Sequence, residues 1–108
     1  MDDQGTEMVS FQLVAAAGEA RSLAFEALEK AKAGDFDAAA KLMKQSMVAG
    51  SKAHHIQSEL LSTEAAGEDL SVDVLLVHAQ DHLMCSMLAQ ELVQELICLY
   101  ERTATKNA

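Results

Sequence analysis

The sequence predicts an all-α fold, an antiparallel up-down-up bundle of three long helices, on three observations. Its 108 residues include no proline, where an average usage of about 5% would supply around five, and proline interrupts helices by removing a donor and clashing with the preceding turn. Aromatic residues make up 4% of a chain that is 50% hydrophobic, so the core has to come from Ala, Leu, Val and Met, which are good helix formers or adaptable fillers. Apolar positions also recur every three or four residues through three stretches divided by glycine. The length fits one domain over 1–108, and the hydrophobicity is too high for a disordered chain.

The first helix is expected from about residue 7 to 33, where Phe11, Val14, Ala17, Ala20, Ala24, Leu28 and Ala31 form one stripe. Gly34 ends it. Asp35 is placed to cap the second helix by accepting from its free backbone N–H groups, and Asp37 favours the helix dipole. That second helix, about 36 to 66, carries a stripe of Phe36, Ala39, Ala40, Met43, Met47, Gly50, His54, Gln57 and Leu61. Gly50 weakens its interior by about 1 kcal/mol relative to Ala, and small residues there suit close helix packing. Gly67, Glu68 and Asp69 make the next break, and Ser71 is the expected N-cap of a third helix from about 72 to 102, with Asp73 in its first turn. Residues 103–108 are expected to fray as a polar tail.

Short connections make consecutive helices antiparallel neighbours. On the third helix Leu76, Leu83 and Met87, together with Val77, Met84, Leu88, Leu92 and Leu99, cover more than one seam, so a second buried face in an oligomer is expected.

Charge excludes several functions. The chain holds 17 acidic against 8 basic side chains, a formal net charge of −9. Between Lys52 and Arg102 there is no Lys or Arg, while Glu59, Glu64, Glu68, Asp69, Asp73, Asp81, Glu91, Glu95 and Glu101 all fall there. Nucleic-acid binding needs clustered cations to displace counterions, so it is excluded, and an acidic half repels anionic membranes while attracting basic protein partners. The acidic start Met1-Asp2-Asp3-Gln4 is not followed by the apolar stretch of a signal peptide, and no apolar run reaches the length of a membrane span. Cys85 and Cys98 are expected to be free thiols in a cytoplasmic protein.

The chemistry is concentrated in Val74-Leu75-Leu76-Val77-His78-Ala79-Gln80-Asp81-His82-Leu83-Met84. On a helix His78, Asp81, His82 and Cys85 stand at i, i+3, i+4 and i+7 and project from one face. Three uses fit that spacing. The polar groups can pair with one another or across an interface and set register. His78 and His82 can ligate a metal with Cys85 or Asp81 as a third group, in a non-enzymatic helical interaction module; the HExxH protease pattern is absent because position 79 is Ala. Or one histidine can be a nucleophile for a labile phosphoryl group, since its ordinary pKa near 6.5 leaves much of it neutral near pH 7. No GxxxxGK loop accompanies it, so a free nucleotide has no cradle, and a phosphoryl carrier would borrow cations from its partner.

The run Leu76-Val77-His78-Ala79-Gln80-Asp81-His82-Leu83-Met84 resembles the signature of the lactose/cellobiose/chitobiose class of enzyme IIA in the bacterial sugar phosphotransferase system. Ala17-Gly18-Glu19-Ala20-Arg21-Ser22 followed by Gly34-Asp35-Phe36 is similar to that family's first hairpin, and Ala53-His54-His55-Ile56-Gln57-Ser58 to its second helix. The resemblance spans roughly residues 8–102. It implies a phosphoryl carrier in which His78 accepts phosphate from phospho-HPr, through Nε2 by family analogy, and passes it to a cysteine of enzyme IIB, for uptake of a disaccharide through the membrane enzyme IIC. It implies a homotrimer of three-helix subunits, with Asp81 near the threefold axis and a divalent cation such as Mg²⁺ neutralising three carboxylates. Gln80 and His82 match the motif as hydrogen-bond support for the phosphoryl group or the imidazole.

Other residues carry weaker expectations. Cys85 stands where the family leads us to expect a small hydroxyl residue and is read as packing; Cys98 is read as core or interface. Met43, Met47, Met84 and Met87 are read as packing, His54 as structural and His55 as exposed. Arg21 can pair with an acid or contact a partner.

Overall fold

A computed structural model describes residues 2–107, so Met1 and the end of the expected tail, Ala108, lie outside the described residues. Three helices run α1 (Asp3–Lys32), α2 (Phe36–Ala65) and α3 (Val74–Asn107). They pack into a rod measuring 58 × 20 × 19 Å, the predicted up-down-up bundle.

The helix ends explain where the expected boundaries held and where they moved. α1 begins four residues earlier than expected because Asp2 caps it: its carboxylate accepts from the Gly5 N–H at 2.7 Å, and its carbonyl accepts from Thr6 N and Oγ1. At the other end Gly34 adopts φ +84°, so that Gly34 N donates to Ala31 O and Asp35 N to Lys30 O. Those bonds satisfy carbonyls that a helix end leaves open, and the left-handed backbone suits glycine. Gly67, at φ +90°, closes α2 in the same way, with bonds to Glu64 O and Thr63 O. Asp35 caps α2 as expected, accepting from Ala38 N at 3.1 Å.

Two expectations at α3 need correction. Its cap is Asp73 and not Ser71: the Asp73 carboxylate accepts from Leu76 N at 2.9 Å and its carbonyl from Val77 N. The tail does not fray at 103, since α3 continues to Asn107; Thr103 donates its hydroxyl to Leu99 O and Tyr100 O, bonding back into the helix.

The core is built mainly from small side chains. Leu13, Ala16 and Ala17 of α1 meet Ala53 and Leu60 of α2 and Leu76, Ala79 and Leu83 of α3 in one cluster. Further along the rod, Ala24, Ala27 and Ala31 meet Ala39, Met43, Val93 and Ile97 in a second. Alanine lets helix axes approach closely, so the bundle is slender. The stripe expected on α1 largely holds, except that Phe11 is exposed. On α2 the buried line is Ala39, Met43, Ser46, Ala49, Ala53 and Leu60, so Met47, His54 and Leu61 of the expected stripe stand exposed beside it. Counting three and four in another order moved that stripe one residue around the helix.

Polar contacts tie the three helices at mid-length. Ser46 donates its hydroxyl to Ala20 O at 2.6 Å, and Gln90 donates Nε2 to Ser46 O at 2.8 Å and to Ser46 Oγ at 2.9 Å. The Gln90 amide passes directly over Gly50, where a Cβ would lie 2.8 Å from its Nε2. The small residue expected to permit close packing does so here, by making room for a side chain.

Over Val74–Ala104 α3 is long and apolar enough to cross a membrane by length and composition alone. No uninterrupted apolar run reaches that length, as expected, because His78, Asp81 and His82 break it, and the apolar character is an average over the longer stretch. Much of the apolar excess is the outward side, where Val77, Met84, Leu88, Leu92 and Leu99 each keep half or more of their surface open. The second apolar face read from the sequence is therefore present and uncovered within one chain.

Candidate functional site

His78 and His82 sit one turn apart near the start of α3. His78 is exposed and His82 half-buried, and their rings meet edge to face with centroids 4.3 Å apart. The two Nε2 atoms are 3.0 Å apart. Two imidazole nitrogens can bond at that distance only when one carries the proton and the other offers its lone pair. One ring donates its Nε2–H and the other accepts, the roles depending on the tautomer. When His82 is the donor, His78 keeps its proton on Nδ1 and its unprotonated Nε2 accepts the bond, so the lone pair a nucleophile needs is present and engaged by His82.

The same helix face carries Asp81 and Cys85, both exposed, as the spacing predicts. Among the described residues, however, no three His, Cys, Asp or Glu side chains converge within one chain to hold a metal. The third ligand that a His78/His82 metal site needs is not brought together with the histidines. Asp81 instead lies on the outer apolar stripe, flanked along the helix by Val77, Met84 and Leu88.

Gln80 is turned elsewhere. Two residues along a helix is about 200° around it, so Gln80 cannot face the His78 of its own chain. It is half-buried toward α2, where its Oε1 accepts from Gln57 Nε2 at 2.7 Å. Sequence reasoning missed this link, although both glutamines stood in segments already singled out; which residues of α2 and α3 lie level with one another depends on packing and on the connection between them.

The remaining residues are placed plainly. Arg21 stacks over the Phe25 ring, 5.4 Å from its centroid, which puts a cation on the α1 surface. His55 is exposed and 3.2 Å from Glu59, and His54 is exposed on α2. Cys85 and Cys98 are free thiols, and both are exposed in one chain, so Cys85 does not pack inside the chain and, of the two places expected for Cys98, the core is excluded. Met43 is buried and Met87 partly so, but Met47 and Met84 lie open.

This face of α3 therefore presents an exposed imidazole bonded to a second one, on a helix whose outer stripe is apolar. Residues 8–101 match the family model described as the PTS system lactose/cellobiose-specific IIA subunit. The chain belongs to this family. It is a phosphotransferase system enzyme IIA component, 50% identical over 96 residues to the N,N'-diacetylchitobiose-specific EIIA component of Escherichia coli K12, an alignment covering 89% of this chain and 83% of that protein. The crystal structure of the cellobiose-specific enzyme IIA from Bacillus anthracis is similar across 98% of this chain and 95% of its own, at 43% identity and a TM-score of 0.93. A solution structure of the IIA(chitobiose)–HPr complex of the E. coli phosphotransferase system contains a chain 47% identical to this one, with a TM-score of 0.80, covering 92% of this chain and 96% of that one. Membership in this IIA family assigns the three-helix fold and the phosphotransferase role together.

Proposed function

We propose that this IIA component carries a phosphoryl group on His78, taking it from phospho-HPr and passing it to the cysteine of an enzyme IIB. The relay would serve uptake and phosphorylation of a disaccharide of the chitobiose/cellobiose or lactose type, whose identity is selected by the membrane enzyme IIC. The observation that carries this reading is the exposed His78 ring, with Nε2 bonded to Nε2 of His82 at 3.0 Å, inside the VHAQDHLM segment. The relative solved in complex with HPr supports the donor.

The neutral His78 imidazole attacks phosphorus through the Nε2 lone pair while the bond to the donor's leaving atom breaks. His82 holds the reactive tautomer beforehand by donating its Nε2–H. Attack frees that N–H, which then turns to a phosphoryl oxygen. In a loose transition state, in-line positioning and donors on the equatorial oxygens matter more than a strong base. α3 has no Lys or Arg before Arg102, so positive charge comes from the partner.

The outer stripe of α3 is read as the contact of a homotrimer. Packing three copies through it sets the His78 side of one copy against the Gln80 side of the next, since Asp81 lies between the two around the helix. Gln80 then supports a phosphoryl group held by a neighbouring copy. One carboxylate per chain cannot hold an ion, but three copies of Asp81 meeting on an axis offer oxygen donors that suit a hard divalent cation such as Mg²⁺. That ion, when bound, neutralises the carboxylates at the contact. The carrier works in the cytoplasm, its contact with the membrane made only through IIB and IIC.

Incubation with phosphoenolpyruvate, enzyme I and HPr tests the reading. The wild-type chain should gain one acid-labile phosphoryl group and His78→Ala none; a His78→Ala chain that is still phosphorylated places the site elsewhere.

A further inference from the structure

The bond between Gln57 and Gln80 has a direction. Gln57 donates its Nε2 to Oε1 of Gln80 at 2.7 Å, and both side chains are half-buried between α2 and α3. A carboxamide has one accepting end and one donating end. With its oxygen accepting from α2, the Gln80 amide keeps its two N–H donors outside that bond. Phosphoryl oxygens are bound by donors and repelled by carbonyl oxygens. α3 carries no Lys or Arg before Arg102, so on this helix a neutral amide is one of the few side chains able to offer N–H donors to an anion. Gln57 itself is half-buried against Gln80 in the seam between α2 and α3.

We propose that Gln57 is a positioning residue for phosphoryl transfer: its donation to Gln80 fixes which end of the Gln80 amide meets the phosphoryl group. The inference rests on His78 being the phosphorylated residue and on the proposed trimer contact that brings Gln80 of a neighbouring copy to it. Gln57 makes and breaks no bond in the reaction and does not touch the donor protein.

The test uses the full chain with phospho-HPr, following single-turnover transfer and the separate kcat and KM. Gln57→Met keeps the length of the side chain and removes the donor, and kcat should fall about threefold to tenfold, the worth of one neutral hydrogen bond, with KM unchanged. Gln57→Glu can only accept, so it draws the Gln80 nitrogen inward and presents the carbonyl; its loss should exceed that of Gln57→Met. In a Gln80→Met background, Gln57→Met should cost nothing further. A wild-type rate for Gln57→Met, a loss carried wholly by KM, or a loss that persists undiminished in the Gln80→Met background would each overturn the proposal. In the unmodified protein, side-chain amide hydrogens of Gln57 should exchange with water more slowly than those of Gln80, and the reverse order would overturn it even if the variants fold poorly. A wild-type chain phosphorylated on His78 in the same assay separates failure of this inference from failure of the parent reading; a chain that takes no phosphoryl group removes both.

Discussion

Replacing Gly50 with alanine should destabilise this protein, against the ordinary rule for a helix interior. Alanine at an unconstrained position inside a helix is favoured over glycine by about 1 kcal/mol. At position 50 the added Cβ would stand 2.8 Å from Gln90 Nε2 and 3.0 Å from its Oε1. The amide is the far end of a flexible side chain and can swing aside, but only by leaving the Ser46 carbonyl and hydroxyl that it reaches at 2.8 and 2.9 Å. Each such bond contributes about 1 kcal/mol net, so roughly 2 kcal/mol is lost against about 1 gained. Gly50→Ala should therefore cost about 1 kcal/mol in urea unfolding, at fixed protein concentration so that association does not shift the midpoint. In a Gln90→Ala background, where the bonds are already gone, the same substitution should stabilise by about 1 kcal/mol. A gain in the wild-type background, or equal effects in both, would refute the packing argument.

Three further outcomes are expected, the last two under the proposed assembly. Gly34→Ala, at φ +84°, should lower stability by about 1–2 kcal/mol through left-handed strain, read as a shifted urea midpoint with unchanged slope. Leu88→Lys places a charge on the open stripe, where Leu88 is 56% exposed in one chain; sedimentation should find the assembly dissociated, and an unchanged oligomer would move the contact to another face. Asp81→Leu should keep the assembly and abolish divalent-cation binding measured by calorimetry, whereas dissociation into monomers would contradict the repulsion between carboxylates.

Much of this architecture could be read along the chain because it depends on local chemistry. Gly34, Gly67 and Asp35 act within a few residues of themselves, and each was placed correctly. Ser71 and Asp73 are both good caps two residues apart, and only the course of the backbone into α3 decides between them. The α2 stripe slipped because alanine is so frequent that several lines of small residues compete, and burial selected the one containing Ser46. At the site, the pairing of His78 with His82 is an i, i+4 contact and could be anticipated. The bonds from Gln57 to Gln80 and from Gln90 to Ser46 join residues separated by 23 and 44 positions. Their partners are set by how two helices slide against each other.

The alanine-rich interior also bears on when the chain is folded at all. Each buried methyl contributes only about 0.8 kcal/mol, and six of the α1 core positions, Ala16, Ala17, Ala20, Ala24, Ala27 and Ala31, offer no more than that apiece. Under the proposed assembly, covering the α3 stripe supplies apolar burial that this thin interior lacks. Folding and association then become one concentration-dependent equilibrium. Newly made subunits too dilute to find partners would stay open to proteolysis, and the amount of working relay would rise more steeply than the rate of synthesis.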